Sequence, residues 1–131
     1  MQFSEFLGQV QHRLSLPGEG EALRATRATL TTLGERLQAG EANDLAASLP
    51  MEIDRFLTAA EPGQRFDFAE FVTRVAERSD TEPQDAVYQA KQVVALVAES
   101  VAPGELAQVR GQLPDDYDPL FEFVEQEPPS A

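Results

Sequence analysis

The stretch Phe3-Ser4-Glu5-Phe6-Leu7-Gly8-Gln9-Val10 returns in the second half of the chain as Phe68-Ala69-Glu70-Phe71-Val72-Thr73-Arg74-Val75, and Arg13 returns at the same spacing as Arg78. Further along, Gly40-Glu41 returns as Gly104-Glu105, with the spacing shortened by one residue. Leu45 then aligns with Val109, Leu49-Pro50 with Leu113-Pro114, and Ile53, Phe56 and Leu57 with Tyr117, Leu120 and Phe121. One residue deleted between the first and second helices of the unit accounts for the change. Self-similarity of this kind constrains a fold more than composition does. Each copy must take up the same local structure and find cover for the same apolar face.

The repeated unit reads as four helices. Phe3, Phe6, Leu7 and Val10 stand at i, i+3, i+4, i+7, the spacing of a single buried helical stripe, and Phe68, Phe71, Val72 and Val75 repeat it. The second copy carries a fuller start signal: Asp67 as cap, Glu70 placed to close a capping box, and Phe66 placed to staple onto Phe71. In the first copy Gln2 holds the cap position, a weaker choice. A second helix is expected from about Gly20 to Gln38, with Ala22, Thr26, Leu30, Leu33 and Leu37 facing inward. Its counterpart starts at Thr81-Glu82-Pro83, with proline in the first turn, and turns Val87, Ala90, Val94, Val97 and Val101 inward. Valine is a weaker helix former than leucine, so a strand competes around Val93–Val97; the run length and the period favour helix. Short third helices follow at about Gly40–Ser48 and Pro103–Gln112. Leu49 and Leu113 each precede a proline, which ends the helix, and Pro50 and Pro114 open a fourth.

The expected fold is therefore all-α: two tandem four-helix repeats packed with pseudo-twofold symmetry into one helical bundle domain. It spans residues 1–124, with repeat one at 1–60, a linker at 61–66 and repeat two at 67–124; residues 125–131 are expected to be a disordered acidic tail. A unit of about 60 residues buries too little surface to stand comfortably alone, so neither half is expected to fold without the other.

The recurring Glu-Phe-(Leu/Val)-x-x-Val and Gly-Glu-x-x-x-(Leu/Val)-x-x-x-Leu-Pro patterns resemble a prokaryotic family known as domain of unknown function 2267. Glu5-Phe6-Leu7, Leu33-Gly34-Glu35-Arg36-Leu37, Gly40-Glu41-Ala42-Asn43-Asp44-Leu45 and Leu49-Pro50 look like its first half. Glu70-Phe71-Val72, Gly104-Glu105-Leu106 and Gln112-Leu113-Pro114 look like its second. The resemblance runs from about Phe3 to Phe123 and implies an all-helical, duplicated fold. It implies no activity and hands over no site residues.

Charge limits the partners. The chain carries 23 acidic against 10 basic residues, a net charge of −13, and Lys91 is its one lysine. A phosphate backbone is held by clustered cations that displace counterions, so nucleic acid is not an expected partner, and an anionic membrane surface is disfavoured for the same reason. Excess acid with little lysine would suit a high-salt cytoplasm, but GC-rich coding produces the same lysine poverty. The N-terminal Met1-Gln2-Phe3-Ser4-Glu5-Phe6 lacks a basic signal-peptide start, and Val93-Val94-Ala95-Leu96-Val97-Ala98 is far short of a membrane span. Cytoplasm is the expected location. With no cysteine there is no disulfide, thiolate zinc site or thiol nucleophile.

No catalytic, metal-binding or cofactor-binding constellation emerges, and no cofactor is expected. His12, the one histidine, has only Glu5, Gln11 and Arg13 for company and reads as a surface residue. Asp115-Asp116-Tyr117-Asp118 lacks the glycine and distal glutamate of a calcium loop and reads as charge favouring a helix start. Ser4, Ser15, Ser48, Ser79, Ser100 and Ser130 show no nucleophile-elbow pattern. Gly18-Glu19-Gly20 lacks the Gly-Lys-(Ser/Thr) of a phosphate loop, and its glutamate would repel one. Arg13 and Arg78 read as ion-pairing residues at helix ends. Glu41 and Glu105 read first as helix-start charges; as an acid–base pair they would have to converge in one cleft with shifted pKa values.

A non-enzymatic protein-interaction module is the favoured functional reading, with a protein partner or self-association in view. A small-molecule or apolar-ligand site between the two halves is the alternative. An enzyme using paired carboxylates comes third.

Overall fold

The computed structural model describes residues 1–124; the expected tail at 125–131 lies outside the described residues. Seven α-helices follow in order: α1 (Phe3–Arg13), α2 (Glu19–Arg36), α3 (Ala39–Ala46), α4 (Met51–Thr58), α5 (Phe68–Ser79), α6 (Pro83–Ser100) and α7 (Glu105–Gln112). A 3-10 helix, Asp115–Phe121, ends the series. There is no strand among the described residues, and Val93–Val97 lie inside α6 with all five residues buried.

The local signals account for most of these boundaries. Asp67 caps α5, its Oδ1 accepting from the Glu70 N–H at 2.9 Å. The capping box closes only half way, because the Glu70 carboxylate turns instead to Arg74 Nε, also at 2.9 Å. Phe66, expected to staple onto Phe71, lies under the Arg74 guanidinium, 3.9 Å from its ring centre. Gln2 caps α1 with no side-chain bond. The last element departs from expectation: where an α-helix was expected after Pro114, the chain winds as a 3-10 helix with Pro119 inside it. Proline supplies no N–H and its ring crowds the preceding turn, which disfavours a continued α-helix there.

Most of the predicted stripes lie in the core. Phe6, Leu7 and Val10 of α1, Phe71 and Val75 of α5, and Ala22, Thr26, Leu30, Leu33 and Leu37 of α2 and its end are buried, while Phe3, Phe68 and Val72 are partly exposed and pack against them. In α6 the buried side is slightly rotated: Ala86 is enclosed while Val87 and Val101 are partly exposed. Phe68, Phe71 and Tyr117 form an aromatic knot with ring centres 5.5 to 5.9 Å apart, and Tyr117 is fully buried. Its hydroxyl donates to the carbonyls of Phe66 at 2.7 Å and Asp67 at 3.2 Å. Burial raises the Tyr117 pKa to about 12, which keeps this donor protonated.

The front and back of the chain interlock. α2 packs on α4, and also on α5 and α6; α1 packs on α2 and α6; α3 meets α7. Residues between α4 and α5 run back along the end of α2, where Gly63 N–H donates to Leu37 O and Gln64 N–H to Glu35 O. Among the described residues three ion pairs cross between the halves, one of them between Arg74 of α5 and Glu35 of α2 at 3.1 Å. Arg13 of α1 meets Glu99 of α6 at 2.8 Å, and Arg78 of α5 meets Glu35 of α2 at 2.7 Å.

Candidate functional site

Glu41 stands on α3 and Glu105 opens α7, two helices in contact, and the Glu105 charge acts on Glu41. Glu41 is only 9 % exposed. Its Oε2 accepts from Gln112 Nε2 of α7 at 3.1 Å, while its Oε1 is buried without a donor. Glu105 Oε2 is likewise buried and unpartnered. Burial first, then the charges of Asp44 and Glu105, raise the Glu41 pKa above the ordinary glutamate value. The helix-start reading thus gives an incomplete account, because the Glu41 side chain reaches across to another helix. The acid–base reading has in its favour that the Glu105 charge acts on Glu41 across the α3–α7 contact. A shared cleft, its other requirement, is not supplied by the concavities lined by α2, by the end of α6 or by α1, none of which either carboxylate lines. Gly104 enters α7 with φ of 97°, a left-handed turn that glycine adopts without strain. Gly40 lies within the first turn of α3 and has no such role.

The remaining sequence candidates are dispersed. His12 is exposed at the end of α1, beside Gln11 and Ser15. Asp116 Oδ2 accepts from the Phe68 N–H at 2.8 Å, and Asp118 pairs with Arg110 at 3.3 Å. The acidic run therefore ties the 3-10 helix to α5 and α7. Among the described residues no group of three or more His, Asp or Glu side chains is arranged to hold a metal ion. Arg13 and Arg78 both make the ion pairs expected of them.

A second locus was not singled out by the sequence. Leu23, Arg24, Arg27, Ala28 and Thr31 lie along one side of α2, and with Gly20, Phe56 of α4 and Arg78 of α5 they line a concavity of about 560 Å³. Arg24 and Arg27 are exposed, and neither has a carboxylate within ion-pair distance among the described residues. The Arg27 guanidinium lies 5.8 Å from the Phe56 ring centre. Arg78 is differently placed. It grips both oxygens of Glu35, at 2.7 and 2.8 Å, and donates to Thr32 Oγ1 at 2.8 Å. Arg74 adds a further bond to Glu35 at 3.1 Å. Burial alone would raise the Glu35 pKa, but the hydrogen bonds from Arg78 and then Arg74 outweigh it, and the pKa is lowered. The sequence signal for this locus is Arg24-x-x-Arg27, a spacing that sets two side chains on one helix face. On its own it looks like any solvated polar face; Phe56 arrives only through the packing of α4 on α2.

A third feature is an apolar groove of about 570 Å³ between the end of α6, α7 and the 3-10 helix, lined by Val101, Leu106, Ala107, Phe121 and Val124 with Arg110 among them.

Taken together, the chain is an all-helical bundle protein with a buried, half-satisfied Glu41 at one helix junction and an arginine-lined concavity at another. It belongs to the DUF2267 family, whose model, described as an uncharacterized conserved protein, matches residues 3–120. No curated protein matches the chain. No helix among the described residues is long and apolar enough to cross a membrane.

Proposed function

We propose that this protein is a non-enzymatic binding module that holds an anionic ligand in the concavity between α2, α4 and α5. The observation that carries this reading is the gathering of three of the chain's ten cations around one hollow, two of them without a carboxylate partner. In a chain of net charge −13, two neighbouring guanidiniums on one helix face at a concavity leave a local positive site free to meet an anion. Charges beyond about 8 Å are largely screened at physiological ionic strength, so the overall acidity weighs less on a bound anion than the two nearby guanidiniums do.

The hollow takes residues from both sides of the linker, as the small-molecule alternative requires. Reciprocal crossing of Arg13–Glu99 and Arg78–Glu35 supports the companion proposal that the two halves are copies of one unit packed about a pseudo-twofold axis. A carboxylate-pair enzyme has the effect of the Glu105 charge on Glu41 in its favour, but neither carboxylate lines the concavities described above.

Titration with acetate, followed through the arginine Nε–H resonances by NMR, tests the binding reading. Saturable shifts are expected at Arg24 and Arg27, and none at Arg55 or Arg65. Uniform, non-saturating drift at all four would overturn it.

A further inference from the structure

We infer that the ligand of the α2–α4–α5 concavity is a small organic acid, with one carboxylate for Arg24 and Arg27 and an apolar, ring-sized body laid against Leu23, Ala28 and Phe56. This rests on the anion-binding reading and adds the chemistry of the rest of the ligand.

Three observations fix that chemistry. The first is the charge available. Arg78 is held by both oxygens of Glu35, so the charge free to meet a ligand is that of Arg24 and Arg27. Residues three apart on a helix have Cβ atoms about 5–6 Å apart, close enough for two guanidiniums to converge on one carboxylate, whose two oxygens match their planar forks.

The second is size. A hollow of about 560 Å³ is several times larger than a bare inorganic anion and falls within the roughly 300–1,000 Å³ usual for small organic ligands. The third is the lining. Leu23 and Phe56 are only partly buried and Ala28 is fully so, which leaves apolar surface facing the hollow beside the charged groups. Thr31, one helical turn beyond Arg27, adds a hydroxyl able to bond a polar substituent. An acidic protein segment fits less well, because it would set further carboxylates on a surface of net charge −13.

The probes are phenylacetate, acetate and 2-phenylethanol, titrated by NMR into the full chain and into Arg24→Gln, Arg27→Gln and Phe56→Leu variants. Phenylacetate is expected to bind at least tenfold tighter than acetate. Each arginine variant should weaken phenylacetate at least fivefold, and Phe56→Leu should narrow the phenylacetate–acetate gap. Equal binding of phenylacetate and acetate would overturn the organic-acid assignment and leave the anion site standing. 2-Phenylethanol binding as tightly as phenylacetate, with the arginine variants unchanged, would overturn the assignment as well. Saturable binding by neither anion would remove both this inference and the reading beneath it. Amide spectra of each variant matching the parent away from the concavity confirm that the comparison is between folded proteins.

Discussion

At the scale of single residues, Glu41 is the side chain whose surroundings are least satisfied. One oxygen has the Gln112 amide; the other is buried with no donor, and the charges of Asp44 and Glu105 stand nearby. An unpaired buried polar group costs about 1–3 kcal/mol. A proton on Glu41 relieves the cost, which is why its folded pKa lies above the ordinary value. The sign follows from proton linkage: a carboxyl that binds its proton more tightly when folded contributes stability at pH below its unfolded pKa. That contribution is lost as pH climbs through the folded pKa. Glu41→Gln supplies a neutral group whose carbonyl can still accept from Gln112 and whose NH₂ can donate toward Glu105. Urea denaturation across pH 4 to 8 should therefore find the variant more stable than the parent at neutral pH, by about 1 kcal/mol, and the gap should close toward acid. A variant no more stable at pH 7 than at pH 4, relative to the parent, would mean that the Glu41 carboxylate is better accommodated than its unpartnered oxygen indicates.

At the scale of elements, α2 and α4 approach closely at Gly34. A methyl group built on Gly34 would stand 2.3 Å from the Leu57 carbonyl oxygen, a separation no real side chain sustains, and backbone is not free to yield there. Overpacking of this kind typically costs about 1–3 kcal/mol. Gly34→Ala should lower the thermal midpoint accordingly, although alanine is the better helix former, whereas Gly8→Ala on α1, with open space around it, should hold or raise it. Equal midpoints for the two variants would show that α4 can slide. This joint also marks the limit of what the sequence made legible. Helix order, the α2 inward face and the α1 and α5 stripes could be read from periodicity, because period and burial are local properties of one helix. The close approach at Gly34 could not, since it depends on which helix lies opposite. The same holds for the concavity: Arg24 and Arg27 are visible as a pair in the chain, but Phe56 joins them only when α4 docks. The 3-10 winding of Asp115–Phe121 was missed for a local reason. Pro119 was there to be seen, yet its match to an α-helical segment in the front half argued for the same winding.

At the scale of the whole molecule, the question is whether either half is a folding unit. α2 is the shared wall: it presents surface to α4 on its own side of the linker and to α5 and α6 beyond it. The Phe66 carbonyl accepts from Arg36 Nε of the front half at 2.9 Å and from the Tyr117 hydroxyl of the back half at 2.7 Å. Fully buried Leu30 and Leu33 on α2, and Val93 and Leu96 on α6, belong to one continuous core. Cutting between α4 and α5 would therefore expose the middle of a core on both fragments, and a piece of about 60 residues has little other apolar surface to bury instead. Fragments 1–62 and 63–131 should each melt without a cooperative transition by circular dichroism. An equimolar mixture should regain one, because the severed face is complementary in shape and is crossed by the Arg13–Glu99 and Arg78–Glu35 pairs. A cooperative transition in either fragment alone would make that half an independent domain. The α2–α4–α5 concavity would then lie at a docking surface between two domains and would change shape as they moved. With the single core described here, it is instead a fixed feature of the fold, and its affinity for an organic acid should depend on pH and salt only through its own arginines and the acid itself.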